Sequence, residues 1–163
     1  MPLSPVMERE EIPAGKEALR LWLQLLTLTT MVEKKIRRKL SDEFETTLPR
    51  FDVMATLDRT NGKMTMGELS KKLLVSKGNV TWVVSSLVNQ GLVKREQGKN
   101  DKRTHYLSLT VKGRREFEAQ ARAHRRWVMD IFSGLNEQEM IKMTKKLSKL
   151  KEAAKLNQTG KKA

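Results

Sequence analysis

Hydrophobic residues recur at helical spacing along most of this chain, and the pattern gives way to strand-like segments between Leu92 and Leu109. From near Lys16, the positions Leu19, Trp22, Leu23, Leu26, Val32, Ile36, Leu40 and Phe44 mark one long helix. Between Leu21 and Leu28 it is apolar almost all round, which predicts burial on more than one side. Pro49 suits the first turn of a second helix, Pro49 to Asp58, with Phe51, Val53, Met54 and Leu57 inward. Asn61-Gly62 reads as the turn that follows.

Two short helical patterns come next, Thr65 to Leu74 and Ser76 to Val88. Thr65 and Glu68 have capping-box spacing, and Ser76 is a good N-cap. A turn of about two residues between them forces a steep crossing, as in a helix-turn-helix. Val80, Val83, Val84 and Leu87 form the inward stripe of the second, leaving Lys77, Gly78, Asn79, Thr81, Trp82 and Ser85 on its other faces. Gly91 is placed to end it in a left-handed cap. Leu92 to Glu96 and Thr104 to Leu109 then read as strands around the turn Gln97 to Asp101. Thr110 caps a long helix to about Ser133, and Asn136 with Glu139 opens a last one through Met140, Met143, Leu147 and Leu150.

The expected fold is therefore mainly α with a small β wing: a winged helix-turn-helix reading head between long N- and C-terminal helices. Such a head predicts DNA binding. A major groove admits one helix, and Asn79 can pair bidentately with adenine, Lys77 can reach guanine or phosphate, and Thr81 can touch a thymine methyl. Ser76 and the free amides beside it suit a phosphate oxygen. The hairpin carries Lys94, Arg95, Lys99, Lys102 and Arg103 against Glu96 and Asp101. An arginine at such a tip can enter a narrow minor groove, and Asp101 can orient it by a bidentate pair. Trp82 falls beside Asn79 and Ser86. It lies either on the sugar-phosphate backbone or over Leu73 and Leu74, and the bulk of the indole favours packing.

Charge agrees with a polyanionic partner. The 163 residues hold 33 Lys and Arg against 19 Asp and Glu, a formal net charge of +14. There is no cysteine, so disulfides and thiolate metal sites are excluded. The most apolar stretch, Leu19 to Val32, contains Arg20 and Gln24 and is shorter than a bilayer span, and Met1 to Glu11 carries acidic residues where an export signal is basic. A cytoplasmic protein without a membrane partner is expected. His105 and His124 have no companions for a metal site, and no nucleophile, catalytic pair or phosphate loop appears, so neither catalysis nor a resident cofactor is expected.

The element order, with Leu69 in the first short helix, Asn79-Val80-Thr81 in the second, and Asp101-x-Arg103 followed by Leu109-Thr110-x-x-Gly113, resembles the MarR family of bacterial transcriptional regulators. The resemblance covers roughly residues 16 to 155 and gives Arg103 the minor-groove role and Asp101 the orienting one. It implies an obligate homodimer built by the first and last helices. The corresponding division is an arm at 1–15, a dimerisation region at 16–46 and 111–156, a reading head at 47–110 and a basic tail at 157–163. Leu48-Pro49-Arg50-Phe51-Asp52, Met66-Gly67-Glu68-Leu69 and Val75-Ser76-x-Gly78-Asn79-Val80-Thr81 further resemble the branch that senses hydroxycinnamoyl-CoA thioesters; Trp82 departs from it, a small residue being usual there.

A dimer spaces two reading helices by about 34 Å, one duplex turn, and predicts a near-palindromic double-stranded operator. A small effector that fits one spacing shifts the population off DNA. The walls expected for a crevice holding it are Trp22, Leu26 and Thr30 of the first helix, Phe51 and Met54 of the second, and His124 and Trp127 of the fifth. For a hydroxycinnamoyl-CoA or other aromatic acid derivative, Arg122, Arg125 and Arg126, with Arg37 and Arg38, are the cations available to its anionic groups. For each of these residues an ordinary core or surface role competes. The competing function is a sequence-nonspecific architectural DNA-binding protein with no effector.

Overall fold

Six helices and a three-stranded sheet make up residues 13–60, 63–73 and 77–159, which the computed structural model describes. The order is α1 (Pro13–Phe44), α2 (Leu48–Arg59), β1 (Met64–Thr65), α3 (Met66–Leu73), α4 (Lys77–Asn89), β2 (Val93–Gln97), β3 (His105–Leu109), α5 (Val111–Ile131) and α6 (Glu137–Thr159). The chain divides into two compact units, residues 1–121 and 122–163, with the boundary inside α5. Asn61-Gly62, Leu74 and the Ser76 cap lie outside the described residues, as does the side chain of Lys77.

The helix starts follow the local chemistry. Glu68 accepts from the Thr65 amide at 2.8 Å and returns its own amide to the Thr65 hydroxyl at 3.2 Å, so the capping box forms. The Thr65 amide, and its hydroxyl donating at 3.0 Å, hold the Glu68 carboxyl below its ordinary range. Asn136 and Glu139 repeat the exchange at 2.8 and 3.0 Å and start α6. At the end of α4 the Leu92 amide reaches back to the Leu87 carbonyl and the Gly91 amide to that of Val88, both at 2.9 Å. Gly91 has φ +70°, so this is a Schellman end that a residue with a Cβ would strain.

Packing in the first unit follows the apolar stripes. Ile36 and Leu40 of α1, Phe51, Val53, Met54 and Leu57 of α2, Leu69 of α3, the α4 stripe and Leu107 are all buried. Phe51 and Phe117 of α5 meet with ring centroids 5.6 Å apart. The sheet order is β1-β3-β2, all antiparallel. β1 pairs Met64 with Leu107 and Thr65 with Tyr106. The sequence pattern does not reveal it, because two residues are too few to show alternation.

Two expectations need correction. The N-terminal half of α1 is not buried in the single chain: Leu19, Leu21, Trp22, Leu23, Leu26, Leu28 and Met31 are all exposed. An apolar circumference says that a helix needs cover, not that its own chain supplies it. Trp82 does not pack over Leu73; its side chain is 72% exposed. In the second unit Ala123 and Trp127 are buried, whereas Met140, Ile141, Met143, Leu147 and Leu150 of α6 are exposed. No helix among the described residues is long and apolar enough to cross a membrane.

Candidate nucleic-acid interface

The face that α4 shows to solvent is set by the face it buries. Val80, Val83, Val84 and Leu87 are all buried, and each step along an α-helix turns about 100°. Trp82, two steps from Val80, is therefore rotated about 200° from it and points away from the core. Asn79, Thr81 and Ser85 share the outward half and are exposed. The result is a convex strip with a protruding indole and small polar groups, of a width that a major groove accepts.

Arg50 ties α4 to its support. From α2 its guanidinium donates to the Ser86 hydroxyl at 2.6 Å and to the Gln90 side-chain oxygen, while its Nε donates to the Thr46 hydroxyl at 3.3 Å. One side chain thus joins the α1–α2 connection, the start of α2 and the C-terminal end of α4. Sequence reasoning assigns Arg50 no such role. The only local sign is a guanidinium one residue before the buried Phe51, on a helix edge half-buried by its neighbour.

The wing tip is organised by Asp101. Its carboxylate accepts from the Arg103 amide at 2.9 Å and the Thr104 hydroxyl at 3.0 Å, and its backbone carbonyl accepts from the Thr104 amide at 3.1 Å. These bonds hold the Asp101 carboxyl below its ordinary range. The guanidinium of Arg103 approaches Asp101 with its Nε at 3.5 Å, and its side chain is 96% exposed. The pair therefore forms, at a long 3.5 Å, while the shorter bonds of Asp101 fold the turn, and most of the guanidinium extends into solvent. Lys99 and Lys102 are exposed beside it, with no ion pair among the described residues. Lower on the wing, Lys63 and Lys94 hold the Glu96 carboxylate at 2.6 and 3.0 Å.

Other cations are partly committed. Arg114 pairs with Asp58 at 2.8 Å, and Lys112 donates to the Gln90 carbonyl at 3.0 Å, so these two brace α5 as well as adding charge. Lys71 and Lys72 at the end of α3 are exposed.

The residues expected to wall an effector crevice are not gathered into one within the first unit. Phe51 and Met54 are core residues, whereas Trp22, Leu26 and Thr30 lie exposed on α1, the Thr30 hydroxyl donating to the Leu26 carbonyl at 2.8 Å. In the second unit His124 meets Trp127 edge-on with centroids 6.5 Å apart, and Arg122, Arg125 and Arg126 line the same helix. Arg37 and Arg38 pair with Glu33 and Asp42 on their own helix. The first unit does hold a pocket of about 320 Å³ elsewhere, between α1, α2 and the ends of α3 and α4, with Asp52 and Asn79 in its wall.

Comparison with known proteins agrees with this geometry. The sequence profile of the MarR family matches residues 46–105, the span from the start of α2 to the start of β3. An uncharacterized HTH-type transcriptional regulator of Bacillus subtilis, YkoM, is 35% identical over 80 residues, which are 49% of this chain. The matched region spans about half of that relative's length, 52%. The fold of Escherichia coli MarR (a cysteine-to-serine mutant in complex with operator DNA) superposes with a TM-score of 0.72 at 24% identity, over 82% of this chain and 95% of that one. A MarR family transcriptional regulator from Silicibacter pomeroyi superposes with a TM-score of 0.74 at 30% identity, over 87% of this chain and 98% of that one. With the element order, the wing and near-complete coverage of a relative at this identity all in agreement, the chain belongs to the MarR family.

Proposed function

We propose that the chain is a homodimeric, ligand-responsive DNA-binding regulator of the cytoplasm, acting as a repressor that leaves a near-palindromic operator when a small effector binds. One observation carries the reading. The outward strip of α4 and the exposed tip of the wing belong to one unit, joined through the Schellman turn at Gly91, and both present groups suited to DNA. Asn79, Thr81 and Trp82 enter a major groove, while Arg103 reaches the adjacent minor groove, flanked by Lys99 and Lys102. Ser76 and Lys77 belong to the same reading surface by sequence. The operator complex of the Escherichia coli protein supports this use of the fold.

Residues 47–110 serve as the reading head, with 16–46 and 111–156 as the dimerisation region. The apolar side chains that α1 and α6 each expose along their lengths support a second copy as cover, since large exposed apolar patches are rare on monomers. The effector reading rests on family resemblance, including that to the hydroxycinnamoyl-CoA branch.

The test is a gel-shift titration on the DNA upstream of the chain's own coding sequence, at fixed salt, against excess random competitor. Competitor-resistant binding is expected, with a salt dependence of roughly 0.9 log units per neutralised phosphate. Equal competition by random DNA would replace the regulator with an architectural protein. A parallel lane with p-coumaroyl-CoA tests the thioester: release supports that branch, and retention removes the thioester from the reading.

A further inference from the structure

The pocket beside the reading helix has a chemistry of its own. Val53, Leu73 and Val80 give it an apolar wall, and Glu33, Arg37, Asp52 and Asn79 give it four polar groups. Arg37 is already held by Glu33 one turn away on α1. Asp52 is half-buried, and its carboxylate has neither a hydrogen bond nor an ion pair among the described residues. Among the described lining residues two carboxylates face one guanidinium, so their charges sum to minus one, with Arg59 of α2 as the other cation acting on Asp52. Burial raises the Asp52 carboxyl above its ordinary value of 3.8, with Arg37 and Arg59 opposing and Glu33 adding to the shift.

We propose that this pocket binds a small organic cation, an amidinium or protonated amine on an apolar body, with the Asp52 carboxylate as its counter-ion, and that its occupancy opposes DNA binding through Asn79. The volume of about 320 Å³ sits at the low end for ligand sites and suits one or two fused rings. A carboxylate ligand would face Asp52 and Glu33 with Arg37 already engaged, so aromatic acids are disfavoured here. A cation gains an ion pair in a partly desolvated site, where such pairs count for more than in water. Coupling follows from position. Asn79 lines the pocket and also lies on the outward face of α4, so a ligand that holds its side chain withdraws it from a base edge. By linkage, DNA then weakens the ligand by the same factor. The coupling rests on the regulator reading; the pocket's preference for a cation does not.

The test uses the full chain and a matched pair of probes, 2-naphthamidine and 2-naphthoate, which differ in charge and hardly in shape. Calorimetry without DNA is expected to show saturable binding of the amidine at least ten times tighter than that of the carboxylate. Asp52→Asn should weaken the amidine tenfold or more. That variant is expected to keep or raise the melting temperature. A carboxyl whose folded pKa is raised contributes stability only below its unfolded pKa and loses it as pH rises through the folded one, so at pH 7 the charge is a net cost. Carboxylate binding as tight as the amidine, or amidine binding untouched by Asp52→Asn, overturns the proposal. Saturating amidine that leaves operator affinity unchanged overturns the coupling. Operator affinity of the ligand-free protein, measured alongside, reports on the regulator reading separately, so a failure there is not confused with a failure of the pocket.

Discussion

The first turn of α5 rests directly on the backbone of Leu92: a Cβ at Gly113 would lie 1.9 Å from the Leu92 carbonyl oxygen. That same carbonyl accepts the Thr110 amide at 3.0 Å, and the Thr110 hydroxyl accepts the Gly113 amide at 2.9 Å. The strand that enters the wing and the helix that leaves it are therefore clasped at one point, which is the physical content of the Leu109-Thr110-x-x-Gly113 motif.

Gly113→Ala should consequently be among the most disruptive single changes in the first unit. Backbone meets backbone, and neither can move aside without breaking the clasp. A loss of about 3 kcal/mol or more is expected, measured by urea unfolding. Gly67→Ala is the control. A Cβ there meets nothing within 4 Å, so α3 should gain up to roughly 1 kcal/mol from better helix propensity.

Arg50→Met should cost about 1.5–3 kcal/mol, since it leaves the Ser86 and Gln90 oxygens without their charged donor. A double-mutant cycle with Ser86→Ala isolates the direct bond, for which a coupling of about 0.5 kcal/mol or more is expected. A coupling of zero would mean that the guanidinium braces α4 by packing alone. DNA affinity should fall along with the coupling, because the tie holds the reading helix against α2.

Trp82→Ala and Arg103→Ala should both leave the melting curve nearly unchanged, within about 0.5 kcal/mol, because both side chains are largely exposed. Their effects on DNA should differ in kind. Losing Arg103 removes a cation and should reduce the salt slope by roughly 0.9. Losing Trp82 should lower affinity at an unchanged slope. An affinity untouched by Trp82→Ala would remove the indole from the groove.

Acid should weaken the fold through His124. Burial lowers its pKa below the ordinary 6.5, so on acidification the unfolded chain takes up this proton first. The contribution is complete above about pH 6.5 and is lost as pH falls from there towards the folded value. Melting temperatures from pH 7.5 to 5.0 should fall more steeply for the native chain than for His124→Gln. Parallel curves would show that the imidazole titrates alike in both states.

Much of the fold was legible in the residues because it is written locally. Capping boxes at Thr65 and Asn136, the left-handed glycine at Gly91 and the Val80–Leu87 stripe each act within a few residues, and each determined its element. The outward face of α4 followed, since burying one face of a helix exposes the other. Asp101 at the wing tip was equally readable, although its tighter grip on the backbone than on the guanidinium was a matter of three-dimensional geometry. Tertiary structure alone decided the rest. Strand β1 exists only because β3 offers it a partner, and Trp82 is exposed because α4 docks by its Val80–Leu87 face. Arg50 meets Ser86 across 36 positions, and Glu33, Arg37, Asp52 and Asn79 meet around one pocket, because packing brings together what no periodicity can pair. A periodic pattern says which face of an element turns inward; which side chains then face each other depends on how the elements dock.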